Sequence, residues 1–457
     1  MATITETMSR WACGLRYQDL NPESIDAAKR FLYDSLGCGL GGYQVEDARI
    51  ALEHIDEVGG KPVCTLIGSG KKTDAVHATL ANSLMIRAMD YNDIYWKQDP
   101  SHPSDIIPAA TSLGERQSRS GKDLIVGIVL GHEIEMRLCL AAIPGIRERG
   151  WHHATLTSFA APFVAGWMLG LDWQQMQHAI GISGSHSCTL GAVTAGKLTM
   201  MKNTVDPMAV QKGVEAALLA ARGYGGPEHV IDGKEGLFHC FGPEWDADQL
   251  TGGLGDRFLI VDCGMKAFPT EALTHSPITA TLNIVRENSL QAEDITEVYI
   301  ESIARAADIL SDPSKYEPDT RETADHSLPY CIAAALADHM VTPQQFTEEK
   351  LHDPRLRAQL SKIKVVANDE FEKLFPAKQS TRVTIRTQSG QEFTQRVDVP
   401  KGDARDPMNE EELRIKFDAL AEPVMSARRR DAIRTAVFDL ENLDQIGDLM
   451  QMCKADR

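Results

Sequence analysis

Ile295-Thr-Glu-Val-Tyr-Ile-Glu301 alternates apolar and polar residues with period two, the pattern of a half-buried β-strand. Two later stretches repeat it, Arg382-Val-Thr-Ile-Arg386 and Phe393-Thr-Gln-Arg-Val-Asp-Val399. The link between them, Thr387-Gln-Ser-Gly-Gln391, is short and contains glycine, so the pair reads as a hairpin. These strands predict a smaller α+β domain over 262–405.

Before that region the period is helical. In Ile25-Asp-Ala-Ala-Lys-Arg-Phe-Leu-Tyr-Asp-Ser-Leu36 and Leu124-Ile-Val-Gly-Ile-Val-Leu-Gly-His-Glu-Ile134 apolar residues recur at helix spacing. Asn21-Pro22-Glu23 gives the first of them a cap, a proline at the first helical position and an early acid. Phe159-Ala-Ala-Pro-Phe-Val-Ala-Gly-Trp-Met-Leu169 is apolar nearly all round, as expected of a helix inside a bundle. Beyond Pro407, Glu410-Glu-Glu-Leu-Arg-Ile-Lys-Phe-Asp-Ala-Leu420 returns to helical spacing and suits a tail that docks on the first domain. The expected fold is mainly α, with a large all-helical domain (1–261 and 406–457) and the smaller α+β domain. A chain of 457 residues needs two cores, because single cores stop growing at about 250–300 residues.

Apolar residues make up 43 % of the chain and charged residues 25 %, an ordinary globular composition. The formal net charge of −18 argues against a nucleic-acid partner. An anionic ligand would therefore need cations gathered locally. The nine cysteines are scattered singly, with no C-x-x-C pair, which fits a reducing compartment better than a disulfide framework. No secretory signal and no apolar run of about 18 residues is visible, so the expectation is a cytoplasmic protein without membrane contact. Gly252-Gly-Leu-Gly255 precedes a possible strand instead of following one, which disfavours a nucleotide loop. There is no G-x-x-x-x-G-K-[ST] and no G-x-S-x-G, so phosphoryl transfer and serine hydrolysis lose support.

Five segments carry groups capable of chemistry. Met89 to Asp105 ends an apolar helix and gathers Asp90, Asp93 and His102 in a Pro-bounded turn, which reads either as a solvated loop with a capping Asp or as a site. It offers no H-x-x-x-H for a metal, whereas His102 suits proton transfer near neutral pH. Gly150-Trp-His-His-Ala-Thr155 puts two imidazoles before an apolar helix, where free N–H groups favour anions. The bland alternative is that His153 caps the helix and His152 packs. Lys197, Lys202 and Lys266 each stand where an apolar stretch meets a turn, a position equally open to a snorkelling surface lysine. Asp319 to Tyr330 concentrates charge and carries Arg321 and His326 ahead of an apolar helix, with capping by Asp325 or Ser327 as the alternative.

Taken in order, these segments resemble the MmgE/PrpD family, which includes 2-methylcitrate dehydratases, cis-aconitate decarboxylases and an iminodisuccinate epimerase. The likeness rests on Arg30-Phe-Leu-Tyr-Asp-Ser-Leu-Gly37, the Asp90 to Ser104 segment, Gly150-Trp-His152, Met201-Lys202 with Gly213, and Gly233-Lys-Glu-Gly236. It continues through Lys266, Phe268-Pro269 and His275, then Ala324-Asp-His-Ser327, Pro400-Lys-Gly402 and Asp406-Pro-Met408. The resemblance implies a homodimer whose helical domain is covered by the α+β domain as a lid, with the site between them. It assigns catalytic roles to Asp90, His102, His152, Lys202, Lys266 and His275, and substrate contacts to Asp93, Glu271, Arg321 and His326. It implies no cofactor and no metal, and a small polycarboxylate as substrate.

Two departures bear on the reaction. The decarboxylase members carry a threonine where this chain has Ile94, and a histidine where it has Glu271, as the dehydratase members do. The expectation is therefore elimination of water from a tricarboxylate such as 2-methylcitrate or citrate. Decarboxylation or epimerisation of a related di- or tricarboxylate, and a non-catalytic carboxylate-binding dimer, are the alternatives.

Overall fold

The computed structural model describes residues 2–97, 99–195, 198–242 and 244–456. It divides into two compact units, Met1–Cys263 with Glu410–Arg457, and Gly264–Asn409. The protein is mainly α, with small sheets, as the change of period predicts.

In the first unit, helix Pro22–Gly42 begins as the sequence indicates. Asn21 accepts the Ser24 N–H at 2.8 Å and Pro22 occupies the first turn. Helices Gly121–Ala141 and Ala154–Leu169 are buried on almost every face; the second carries no charge, and the first bonds His132, Glu133, Glu135 and Arg137 within the protein. Helix Met201–Ala220 packs closely on the second of these. A Cβ at Gly213 would lie 2.6 Å from Ala161 Cβ and 3.0 Å from the Pro162 nitrogen, so only glycine permits this approach. His152 precedes one of this pair of helices and Lys202 lies in the first turn of the other.

The tail takes part in the same unit. Helix Glu410–Ala421 sends Lys416 into the interior, 2.7 Å from Asp34, and its ammonium also donates to the Tyr91 carbonyl at 2.6 Å. The ammonium lies 4.1 Å from the centre of the Tyr91 ring. Burial pushes the Asp34 carboxyl up and Lys416 opposes it. The tail thereby ties down the residue next to Asp90.

The segment from Asp90 to Asp105 is not a solvated loop. Asp93–Trp96 and Pro100–Ser101 form a short antiparallel pair, with Tyr95 opposite Ser101 and Trp96 opposite Pro100. Asn92, Asp93, Ser104 and Asp105 are buried and hydrogen-bond with one another, a tertiary arrangement that local spacing does not reveal.

The second unit holds a four-stranded sheet in the order Ile363–Ala367, Ile295–Ser302, Thr381–Thr387, Glu392–Val397. The first pair is parallel and the other two are antiparallel. Strand Thr381–Thr387 alternates buried and less buried residues, whereas Glu392–Val397 is the exposed edge. Strand Ile363–Ala367 escaped the sequence reading, since its pattern alternates only weakly. Among the described residues no helix is long and apolar enough to cross a membrane, and the nine cysteines are free.

Candidate functional site

Helix Ala75–Arg87 is almost free of charge until its last residue. Arg87 is buried, and a guanidinium there must be paired. Asp90 binds it directly, and Asp105 Oδ2 lies 3.5 Å from its Nε. Burial works against the Arg87 charge, but Asp90, Asp105 and Asp206 outweigh it and hold the group protonated. The other Asp90 oxygen lies 2.9 Å from Lys202 Nζ. Asp90 has φ +50°, a left-handed conformation that costs a non-glycine residue on the order of 1–3 kcal/mol. Its two cationic partners hold it there. Asn203, next to Lys202, donates to the Ala88 carbonyl at 3.1 Å and fixes the helix start to this turn.

Three imidazoles stand beside this ion cluster. His102 Nδ1 lies 2.6 Å from the Asp93 carbonyl, so in the neutral ring Nδ1 carries the hydrogen and Nε2 the lone pair. His152 has the opposite tautomer. Its Nδ1 accepts the Ala154 N–H at 3.2 Å, so in the neutral ring Nε2 is the donor. Burial first, and then the charge on His153, hold His152 well below the usual histidine range, with Arg87 and Lys202 adding to the effect. His153 Nε2 lies 3.2 Å from Asp206 Oδ2. Burial alone would raise Asp206, but His153, followed by His152 and Arg87, hold it far below the ordinary carboxylate range. The His152 and His153 ring centres are 3.9 Å apart, and His153 meets His102 edge-on at 5.5 Å. The alternative roles foreseen for the two histidines are thus exchanged: His152 accepts the helix N–H, and His153 packs with its Nε2 facing Asp206.

The structure therefore brings Asp90, His102, His152 and Lys202 together within the first unit. Asp93 belongs to the same cluster as a buried support. Its oxygens accept from the Ser104 N–H at 2.8 Å and the Ser104 hydroxyl at 2.6 Å, which shapes the turn after His102. Lys197 lies outside the described residues.

The second unit presents a separate group. Lys266 donates to the Thr270 carbonyl at 3.1 Å, and His275 Nε2 lies 3.3 Å from the same oxygen. Phe268 packs edge-on against His275, with ring centres 5.3 Å apart. The Glu271 carboxylate accepts the Leu273 N–H at 2.6 Å and the Glu271 backbone N–H donates to the Asp325 carbonyl at 3.0 Å. Asp325 binds the His326 ring directly, Arg321 pairs with Glu322 at 3.0 Å, and Ser327 caps the following helix.

Among the described residues two groups have metal-ligand composition: Asp93 with His132 and Cys263, and His152 with His153 and Asp206. The second already pairs an imidazole with a carboxylate beside Arg87 and Lys202, whose charges oppose a further cation. In the first, Asp93 Oδ2 lies 3.5 Å from His132 Nε2 and 3.7 Å from Cys263 Sγ, while Ser104 occupies both oxygens. In each group a buried imidazole faces a carboxylate.

Sequence reasoning missed Arg87, Asp206 and Glu135. A signal was present at Arg87, the lone charge of an otherwise uncharged helical stretch, and at Glu135 and Asp206, which sit among apolar residues of buried helices, because such charges persist only when paired or neutralised. As built, the first unit combines an imidazole at His102, a neutral donor at His152 and an ammonium at Lys202. The starts of helices Ala154–Leu169 and Met201–Ala220 add N–H groups that favour an anion.

Comparison with known proteins gives this geometry a context. The chain is 27 % identical to cis-aconitate decarboxylase of Homo sapiens over 471 residues, which covers 99 % of this chain and 95 % of the relative. It is 25 % identical to cis-aconitate decarboxylase of Aspergillus terreus over 471 residues, covering 98 % and 95 %. It is 23 % identical to 2-methylcitrate dehydratase of Salmonella typhimurium over 413 residues, covering 86 % and 84 %. These relatives are enzymes, and at such identities they do not fix which reaction this chain performs. The MmgE/PrpD N-terminal domain matches residues 6–250 and the MmgE/PrpD C-terminal domain residues 268–442, and the chain belongs to the MmgE/PrpD family.

Proposed function

We propose that the protein is a hydro-lyase that eliminates water from a small tricarboxylate such as 2-methylcitrate or citrate, giving an aconitate-type alkene. The observation that carries the reading is the opposed tautomers of His102 and His152 beside Lys202. Removing a proton from carbon next to a carboxylate builds further negative charge on that group, and fixed donors in a dry site stabilise it. His102 Nε2 takes the proton. His102 then returns that proton to the departing hydroxyl, so that water leaves, while His152 Nε2–H hydrogen-bonds the same oxygen, and Lys202 holds a carboxylate while Asp90 keeps its ammonium in place. Lys266 and His275 are a second lysine–histidine pair available for a further carboxylate. Such a protein works as a homodimer on our reading of the family.

Dehydration is preferred over decarboxylation because Ile94 and Glu271 stand where the decarboxylases of the family carry threonine and histidine. Decarboxylation of cis-aconitate is the second reading. The fuller alignment with the decarboxylases, 98–99 % of this chain against 86 % for the Salmonella dehydratase, favours it. Turnover on 2-methylcitrate, citrate, cis-aconitate and iminodisuccinate, followed by alkene absorbance and released CO₂, separates the two. Carboxylate binding without turnover anywhere on the panel would mean a non-catalytic dimer.

A further inference from the structure

Glu135 is a buried acid that the elimination chemistry leaves unused. It lies in helix Gly121–Ala141, wholly shielded from solvent. Its Oε1 accepts from the Ser101 hydroxyl in a short contact and from the Thr157 hydroxyl at 2.9 Å, while Oε2 is buried without a hydrogen-bond partner. Ser101 immediately precedes His102, and Thr157 lies in the first turn of the helix that follows His152 and His153. The same Thr157 hydroxyl is 3.1 Å from Asp206 Oδ1, and Asp206 Oδ2 is 3.2 Å from His153. A chain of polar contacts therefore runs from the residue before His102 through Glu135, Thr157 and Asp206 to His153, whose ring lies against both His152 and His102.

Proton accounting gives this chain a direction. Thr157 has one hydroxyl proton and faces two carboxylates, so it cannot donate fully to both. Asp206 stays ionised because His153, and then His152 and Arg87, prevail over burial. The charged and titratable groups around Glu135 are of the other kind: Asp206 from helix Met201–Ala220, Asp93 from the hairpin, Asp105 from the turn beyond it and Cys139 one turn along its own helix. Burial, with Asp206 and Asp93 adding to it, pushes the Glu135 carboxyl up to about 8 against the Ser101 and Thr157 hydroxyls. With the proton on Glu135, its O–H donates to Thr157 and Thr157 donates to Asp206, whose other oxygen faces His153 Nε2 at 3.2 Å. The two hydroxyl links then each have one donor and one acceptor.

We propose that Glu135 is a positioning residue that holds a proton in the working enzyme and, through Thr157, fixes Asp206 and His153 against the imidazoles of His102 and His152. Loss of that proton leaves the Thr157 hydroxyl between two anions and releases the register of His153. The proposal rests on the assignment of His102 and His152 to the active site.

The pH profile of kcat and the variant Glu135→Gln test it. The wild type is expected to lose kcat with rising pH around a midpoint of about 8, with KM little changed. The glutamine amide N–H can donate where the carboxyl O–H did, so Glu135→Gln should keep kcat at neutral pH within about threefold and lack that alkaline limb. Persistence of the limb in Glu135→Gln, or a loss of more than about tenfold at neutral pH, overturns the proposal. A second measurement needs neither turnover nor the variant. In wild-type protein labelled with carbon-13 at the glutamate carboxyls, one resonance should titrate near 8, and titration of every glutamate in the ordinary carboxylate range overturns the proposal. A chain that shows this resonance but no activity would contradict the active-site assignment and leave the protonated Glu135 standing.

Discussion

The Lys202 ammonium lies 2.9 Å from Asp90 Oδ2, with both side chains at least nine-tenths buried. Arg87 holds the other Asp90 oxygen. Taking either partner away leaves a charge in the interior, so the two sites should be coupled. A double-mutant cycle with Asp90→Asn and Lys202→Met, read as unfolding free energy, should give a coupling of about 1–3 kcal/mol. Additivity within about 0.5 kcal/mol would show that the pair does not interact in solution.

His102 and Lys266 should separate kinetically. His102→Ala removes the proposed base and should lower kcat by on the order of 10² or more with little change in KM. Lys266→Ala removes a cation proposed to hold substrate and should act mainly by raising KM. Near wild-type turnover in the first variant would remove His102 from the mechanism. An unchanged KM in the second would remove Lys266 from binding.

Lys416 clamps the tail helix to Asp34 and to the Tyr91 carbonyl beside the site. Lys416→Met leaves Asp34 buried without its cation and should cost about 3–5 kcal/mol of stability in a denaturant titration. Adding Asp34→Asn should recover much of that loss. A double variant no more stable than Lys416→Met would show that the cost comes from lost packing.

The fold was legible wherever the pattern was local. Asn21-Pro22 marked a helix start, and the alternation in Ile295 to Glu301 and Arg382 to Arg386 marked adjacent strands of one sheet. Strand Ile363–Ala367 was not legible, because its own alternation is weak. The site was readable only in part for a similar reason. His102 and His152 drew attention as imidazoles in polar turns, but their tautomers depend on the Asp93 carbonyl and the Ala154 N–H. Arg87, Asp206 and Glu135 are set on three different helices, and no spacing along the chain shows that they share one buried network.

Glu135 also makes a prediction about stability. Its carboxyl rises from an ordinary 4.5 to about 8 in the fold. Below the ordinary value both folded and unfolded chains hold the proton, and the group imposes no penalty. As pH rises from there the unfolded chain releases the proton first, so stability is lost progressively until the folded group ionises at about 8. The full loss is of the order of a few kcal/mol. The stability of Glu135→Gln relative to wild type should therefore increase across this window in denaturant midpoints. A difference that stays constant with pH would contradict the protonated state.

The central claim is the reaction itself, and 2-methylcitrate, with citrate beside it, tests it most directly. Purified protein should raise the absorbance of a conjugated alkene from one of these hydroxy acids without releasing CO₂, and His102→Ala should slow that rise by on the order of 10² or more. Release of CO₂ from cis-aconitate, with both hydroxy acids left untouched, would contradict the account and make the protein a decarboxylase.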